Sequence, residues 1–389
     1  MTQSEFILRA AFGTYGSLNA LYPFIALTAL QPGWPMRRAT PPPAMAGDEL
    51  PPITLLRPLK AGVPALHEKL ETLVAAMRPG DQLVLGADEG SDEMHVCAGL
   101  RAAFPEREIV VVGCRAGAAL NPKISKLVQM TPHARCDRWV LSDSEALIDA
   151  AWLSAFRGEW AASGAEVLTA GYRFVNLATW PQRLDAAAAL LGLWPGLAMV
   201  LTFGRVNFTL GACTGFRRTD VEAIGGWAAL GDFLAEDNRL GSALAKAGRT
   251  IRLSAQVATL DSDPLTWRDY WRHQRRVAVT YRVCNPAGFA GMILTNGLVG
   301  GALLAVLAPK SMFIAICLFF IAMIQLTRWV FFRALGKVLR FPIPWLFPVM
   351  LVAGAVEIAC WCAAWCDRRV WWAGRRWRVS RGGRFTPEP

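Results

Sequence analysis

The stretch Trp139-Val140-Leu141-Ser142-Asp143-Ser144-Glu145 sets three apolar residues in a row between polar neighbours, the pattern of a short buried strand. It runs into Asp-Ser-Glu, so two carboxylates emerge at a strand's C-terminal end, where open α/β sheets bind ligands. Two acidic side chains one residue apart can share a hard divalent cation whose shell is completed by phosphate oxygens. Taken alone, the same residues describe a strand ending in a solvated acidic turn. The rest of the chain decides between the two.

Around this stretch, residues 50–262 alternate short apolar runs with helical patterns, which implies an α/β domain with a largely parallel sheet. Ile53-Thr54-Leu55-Leu56 is a first strand ending at Arg57-Pro58-Leu59-Lys60. Further strands cover residues 82–86, ending near Asp88, then 108–112 and 167–170. Helices are expected over 64–77, from Asn121-Pro122-Lys123 to Met130, and from Leu234-Ala235-Glu236-Asp237 to Lys246, closed by Gly248. The acidic pair opening that last helix would also suit the helix dipole without any chemical role. There is no internal repeat and no glycine-rich phosphate loop.

Composition adds a membrane. Of 389 residues, 53% are hydrophobic and only 18% charged, which is apolar for a soluble domain. The net charge of +11 gathers beside apolar stretches and in the tail, where basic residues suit anionic lipid head groups; no signature of nucleic-acid binding accompanies it. Nine scattered cysteines argue against a disulfide framework, and Cys360, Cys362 and Cys366 read as helix-packing residues. Residues 10–36 carry no charge, so an N-terminal transmembrane helix is assigned to 1–36. Arg37-Arg38 follows it, which places the next domain in the cytoplasm. A proline-rich linker (37–52), the catalytic domain (53–265), an interfacial amphipathic helix (266–285), membrane helices (286–366) and a basic tail (367–389) complete the organisation. The helix at 266–285 mixes Trp267, Tyr270 and Trp271 with Arg268, Arg272, Arg275, Arg276 and Arg282, as suits head-group level. Residues 184–201 carry one charge, Asp185, and are interrupted by Gly192 and Pro195; they fit a helix on the membrane surface or one buried in the domain. Three crossings after residue 285 would leave the arginine-rich tail outside, against the charge bias. Pro344, Pro348 and Glu357 make the last apolar stretch the suspected re-entrant one.

Pro58-Leu59-Lys60, Asp88, Asn121-Pro122-Lys123, Asp143-Ser144-Glu145, Ala235-Glu236-Asp237, His273-Gln274-Arg275-Arg276-Val277 and Trp372-Ala373-Gly374-Arg375-Arg376-Trp377-Arg378 follow one another in order. In that order they resemble the ceramide glucosyltransferase family, including its bacterial hopanoid-associated relatives. The resemblance implies a GT-A nucleotide-sugar-binding domain joined to an α-helical membrane domain. It implies inverting transfer of one sugar, from a UDP-linked hexose to a lipid hydroxyl, at the cytoplasmic face of a bacterial inner membrane. Ceramide is the first acceptor and a hopanoid polyol the second; a non-catalytic lipid- or nucleotide-binding protein of the same fold is a reading of another class. Asp143 and Glu145 would hold Mg2+ or Mn2+, and Asp237 would be the general base, with Glu236 beside it. Arg276, with Arg275 nearby, would stabilise the leaving phosphate. Pro58, Lys60, Asp88 and Lys123 would contact the nucleotide sugar, while His273 and Gln274 belong to the arginine motif. The sequence departs from the family pattern at Glu145, where a shorter acid or a neutral residue is usual. It departs again at His273, in place of Gln or Arg, and at Val277, in place of Trp.

Overall fold

A computed structural model describes residues 3–30, 50–305 and 313–388. Arg37-Arg38 and the linker up to residue 49 lie outside the described residues, as does the N-terminal segment beyond residue 30. The domain strands are β1 (Ile53–Pro58), β2 (Gln82–Asp88), β3 (Glu108–Cys114), β4 (Arg138–Ser142), β5 (Ala146–Leu147), β6 (Val167–Ala170), β7 (Tyr172–Val175), β8 (Cys213–Arg217), β9 (Ile251–Leu253) and β10 (Ala258–Asp261). The main sheet has the order β3-β2-β1-β4-β8-β6-β9, and a smaller one the order β5-β10-β7. In the main sheet β8 alone runs antiparallel to its neighbours, β4 and β6. That reversal matters for the site. β8 enters the sheet at the edge where β4 leaves it, so the backbone at Ala212 meets Asp143, whose N–H donates to the Ala212 carbonyl at 3.3 Å.

Successive strand residues feed opposite cores, as the pleat requires. Leu55, Leu83 and Val140 pack on one face, and Leu56, Val84 and Leu141 on the other. After α1 (Gln3–Ala29), helices α2 (Leu66–Ala76), α3 (Asp92–Ala103) and α5 (Ala150–Ser163) cover the first face. Helices α4 (Pro122–Met130), α8 (Arg218–Ala223) and α9 (Glu236–Lys246) cover the second. Both faces are therefore apolar, which is why β4 reads as an unbroken apolar run rather than an alternating one.

Helices α6 (Trp180–Ala188) and α7 (Trp194–Phe203) are joined by a π-helical turn over Ala189–Leu193. Pro195 just beyond it cannot donate to the preceding turn, and the wider turn absorbs that missing bond. The combined helix Trp180–Phe203 is apolar and long enough to cross a membrane, yet both its ends return to the α/β domain. Trp194 docks it there: its ring packs over Gly171, where a Cβ would come within 2.6 Å, and its Nε1 donates to the Tyr172 carbonyl at 2.9 Å.

Beyond the domain follow α10 (Trp267–Cys284), α11 (Pro286–Met292), α12 (Gly297–Ala305), α13 (Phe313–Val338) and α14 (Leu346–Cys366). Among the described residues, Leu318–Val338 and Leu346–Cys366 are the other two helices long and apolar enough to cross. The re-entrant candidate differs from the expected one. The segment Pro286–Thr295 meets Gly297–Leu303 at a 64° bend, whereas α14 is continuous, because Pro344 precedes it and Pro348 falls in its first turn, where proline is tolerated. Asn296 builds the bend: its side-chain oxygen accepts from Leu298 N–H at 3.0 Å, and its amide donates to the Gly354 carbonyl at 3.0 Å and to Glu357 at 2.8 Å. The carboxylate suspected of breaking α14 instead satisfies this polar break, as backbone at membrane depth demands.

The basic tail is a folded element. β11 (Arg369–Trp372), β12 (Arg375–Val379) and β13 (Phe385–Pro387) form a three-stranded antiparallel sheet around Trp377 and Phe385, whose ring centroids lie 4.5 Å apart. It is fastened to the catalytic domain by Leu234 N–H to the Gly383 carbonyl at 3.2 Å and Phe385 N–H to the Asp232 carbonyl at 2.9 Å. The topology expected from this packing has tail and domain on one side of a membrane, with an even number of crossings between them. Leu318–Val338 and Leu346–Cys366 are each long and apolar enough to cross, and the bent pair has the geometry of a broken span or a re-entrant loop. In a variant stripped of native cysteines, Cys placed at Glu106 and at Gly382, both exposed, should be labelled by an impermeant maleimide from the same side of oriented vesicles. Labelling from opposite sides would contradict this topology.

Candidate active site

Four strand ends and two helix starts converge on one edge of the main sheet. Asn121 caps α4, its Oδ1 accepting from Lys123 N–H at 2.9 Å and Ile124 N–H at 3.2 Å. Its amide reaches the start of α9, donating to the Phe233 carbonyl at 3.0 Å and to Glu236 Oε2 at 3.1 Å. One buried asparagine thus ties the two helix starts together. Lys123 then bridges Asp143 at 2.6 Å and Glu236 at 3.3 Å. Burial opposes the Lys123 charge, but Asp143 and Glu236 outweigh it and hold the ammonium above its usual range. Lys60, at the end of β1, pairs with Glu145 and Asp263. Burial works against the Glu145 anion, and Lys60 overrides it, so the carboxylate sits below its ordinary range.

Gly211 lies between the remaining carboxylate oxygens. Its N–H donates to Asp237 Oδ2 at 3.1 Å, and a Cβ there would lie 3.0 Å from Asp143 Oδ2 and 3.4 Å from Asp237 Oδ2. The loop is brought this close by Gly241 on α9, where a Cβ would come within 2.2 Å of the Phe208–Thr209 backbone. Glycine inside a helix costs about 1 kcal/mol relative to alanine, a cost accepted here for the approach; Thr209 Oγ1 completes the contact by donating to the Asp237 carbonyl at 2.7 Å. Burial first, with the charge of Glu236 adding to it, raises Asp237 to about 6 against the pull of Lys123. Asp143 is raised as well, by burial first, against Lys123, with Glu145 and Glu236 adding to the rise.

The remaining expected residues divide. Arg276 faces this cleft and feels Glu236, Asp185 and Asp237; among the described residues it makes one hydrogen bond, to His273, and no ion pair. Asp88, exposed at the end of β2, pairs with Lys126 at 2.9 Å, and Lys126 also donates to the Leu59 carbonyl beside Pro58. Gln274 donates to Asp185 at 2.8 Å. Arg275 points away, to Asp367 at 3.5 Å and the Arg369 carbonyl at 3.4 Å, and helps fasten the tail. His67, His95 and His133 are exposed.

Three contributors were not singled out from sequence as site residues. Arg57, fully buried beneath the Asp-Ser-Glu turn, donates to Ser142 Oγ at 3.2 Å and to the Ala146 carbonyl at 2.7 Å. Asp263 shares Lys60. Asp185, the one charge in the apolar stretch 184–201, lies against α10 and accepts from Gln274.

The acidic groups also meet a requirement for a hard cation. Asp143, Glu145, Glu236 and Asp237 face two lysines, and both aspartates are pushed upward by neighbouring negative charge. Among the described residues, no three His, Cys, Asp or Glu side chains could enclose a metal ion by themselves. Oxygen donors in negative surplus without a closed shell fit a cation of the Mg2+ type, which takes one or two carboxylates and completes its shell with phosphate and water.

A family model described as glycosyl transferase family 21 matches residues 17–385. Among solved structures, the chain is similar to the mannosyltransferase PcManGT from Pyrobaculum calidifontis, solved in complex with GDP-Man and Mn2+. That match has 16% identity and a TM-score of 0.51, covering 92% of this chain and 98% of that one. It is also similar to S. aureus TarS solved with UDP-GlcNAc, at 13% identity and a TM-score of 0.37 over 87% of this chain and 99% of that one. The α/β domain has the GT-A glycosyltransferase fold.

At Gly211 an added methyl group would press directly on the carboxylates of Asp143 and Asp237. Gly211→Ala should lower turnover at least about 10²-fold, because a displacement of order 1 Å at a catalytic constellation costs that much. Its melting temperature should stay close to that of the parent protein. Turnover within threefold of the parent would show that Asp143 and Asp237 need not be held against this backbone.

Proposed function

The chain belongs to glycosyl transferase family 21, and from that premise we propose that it moves a single hexose from a UDP-sugar, glucose first, to the hydroxyl of a membrane lipid, ceramide first. The observation that carries this reading is the Asp237 carboxylate. Its pKa is raised to about 6 and it is set against backbone, near an arginine that makes no ion pair among the described residues.

A general base is most effective when its pKa lies near the working pH, and burial moves Asp237 there. Asp237 takes the proton from the acceptor hydroxyl, and that oxygen attacks the anomeric carbon of the sugar. The bond from this carbon to the diphosphate oxygen breaks on the opposite face, so the configuration inverts and the electron pair leaves with the nucleoside diphosphate. Arg276 meets the charge developing on the leaving phosphate, where guanidinium N–H groups can bind two oxygens at once. Asp143, with Glu145 beside it, would hold a divalent cation, Mg2+ or Mn2+, which supplies charge neutralisation at the diphosphate when bound. Lys123 keeps Asp143 and Glu236 in place, and Asp88 with Lys126 forms the outer rim for the nucleoside.

The setting supports a lipid acceptor. Trp267 and Trp271 are exposed on α10, the helix that carries Arg276, and the apolar helix Trp180–Phe203 packs beside it. Both elements support a cleft beside the bilayer, on the side of the catalytic domain and the tail, which we assign to the cytoplasmic face of a bacterial inner membrane. A lipid hydroxyl that enters laterally avoids exposing its chains, at about 0.8 kcal/mol per CH₂.

Turnover at saturating donor should fall as pH drops through about 6, since Asp237 must be deprotonated to act and its acid form accumulates below that value. Asp237→Asn should lose about 10²–10⁴-fold. If the variant keeps more than a tenth of parental turnover, the base is Glu236 instead. Incubating vesicles of the purified protein with labelled UDP-sugars and mixed lipid extract should label ceramide; label in a hopanoid polyol would replace the acceptor, and no lipid label would overturn the reading.

A further inference from the structure

Arg276 has a support that reaches it from the membrane-facing helix. His273, one turn earlier on α10, has its Nδ1 3.2 Å from Arg276 Nη2. Arginine has only donors, so Nδ1 must be the acceptor and the imidazole proton must sit on Nε2. Nε2 faces Asp185 Oδ1 at 3.5 Å. The same Asp185 oxygen accepts from Gln274 Nε2 at 2.8 Å, and Asp185 itself is 8% exposed. Its carboxylate thus accepts a hydrogen bond from Gln274 and faces the His273 ring at a longer charge-contact distance.

We propose that Asp185 is a positioning residue for sugar transfer: by fixing the tautomer and orientation of His273, it holds Arg276 aimed at the leaving phosphate. This rests on the reading of Arg276 given above. The alternative for a buried Asp–His–Arg chain is that it merely joins α6 to α10. Two features favour the positioning role. Asp185 is the one charge in the apolar stretch 184–201, and simple packing of α6 on α10 has no need of a buried carboxylate, which is costly without partners. Arg276 also has no carboxylate of its own, so among the described residues its orientation in the cleft depends on the single contact to His273.

The groups facing His273 are Asp185 from α6, Arg276 on its own helix, Lys60 after β1 and Asp263 after β10. Burial, with Arg276 and Lys60 adding to it, keeps the imidazole below its ordinary pKa against the pull of Asp185. The neutral ring that can accept from Arg276 is therefore the form present at neutral pH.

Double-mutant cycles on the full-length protein in vesicles test this. Asp185→Ala should lower kcat about 10-fold or more with the donor KM within threefold, and in an Arg276→Ala background it should cost nothing further, because both changes remove one interaction. Asp185→Asn, which keeps an acceptor for His273 and Gln274, should retain most activity. His273→Gln, whose amide can accept from Arg276 and donate to Asp185, should rescue where His273→Ala does not. A full additive loss in the Arg276→Ala background would overturn the proposal and leave Asp185 as a packing residue. Should Asp185→Ala fail to fold, His273→Ala takes its place in the same cycle with Arg276→Ala, and a full additive loss there overturns the proposal. The Arg276 reading is checked separately by thermal shift with UDP. If Arg276→Ala leaves UDP stabilisation and turnover unchanged, that reading fails whatever Asp185 does.

Discussion

Four carboxylates held against two lysines at one sheet edge form the constraint around which this molecule is organised. Glu145 pairs with Lys60, and Asp143 and Glu236 with Lys123, while Asp237 feels the Lys123 charge without pairing with it. Burial first, and then like charge in a low-dielectric cleft, push acids toward protonation, and Asp237 is raised to about 6. The arrangement is poor for stability and suited to chemistry. A protein seeking only a firm core would not place these groups around a glycine that leaves two of them uncovered.

The scaffold exists to hold that edge. The reversed strand β8 returns Gly211 and Ala212 to the end of β4, and Gly241 lets α9 close on the same loop. The tail sheet grips the loop ahead of α9 through Asp232 and Leu234, so residues about 150 positions apart in sequence brace one catalytic segment. Its fastening also ties α10 and α14 to the domain, so the tail, α10 and the apolar helix Trp180–Phe203 pack with the cleft.

Much of this was legible in sequence, and the failures have physical reasons. The strand before Asp143, the helix capped by Asn121 and the acidic start of α9 follow from apolar runs and capping chemistry alone, and the motif order carried the family. The tail was read as a basic extension because its arginines dominate composition. Yet Arg376-Trp377-Arg378-Val379 alternates exposed and buried positions in the structure, a strand pattern visible in hindsight. Arg275 and Arg276 are adjacent and chemically equal in sequence, but a helix turns neighbours about 100° apart, so one faces the cleft and the other Asp367. The re-entrant bend was assigned to prolines, whereas an asparagine with side-chain partners on α14 makes it. Such partners come from tertiary contact, which no local pattern reports.

The central claim is that the Asp143 edge binds a nucleoside diphosphate together with a divalent cation. Calorimetric titration of UDP into the purified protein, with and without Mn2+, tests it most directly when repeated on Asp143→Ala. Binding that requires Mn2+ in the parent protein and loses that dependence in the variant is the expected result. The same Mn2+ dependence in both proteins would contradict the account and leave Asp-Ser-Glu as the polar end of a strand.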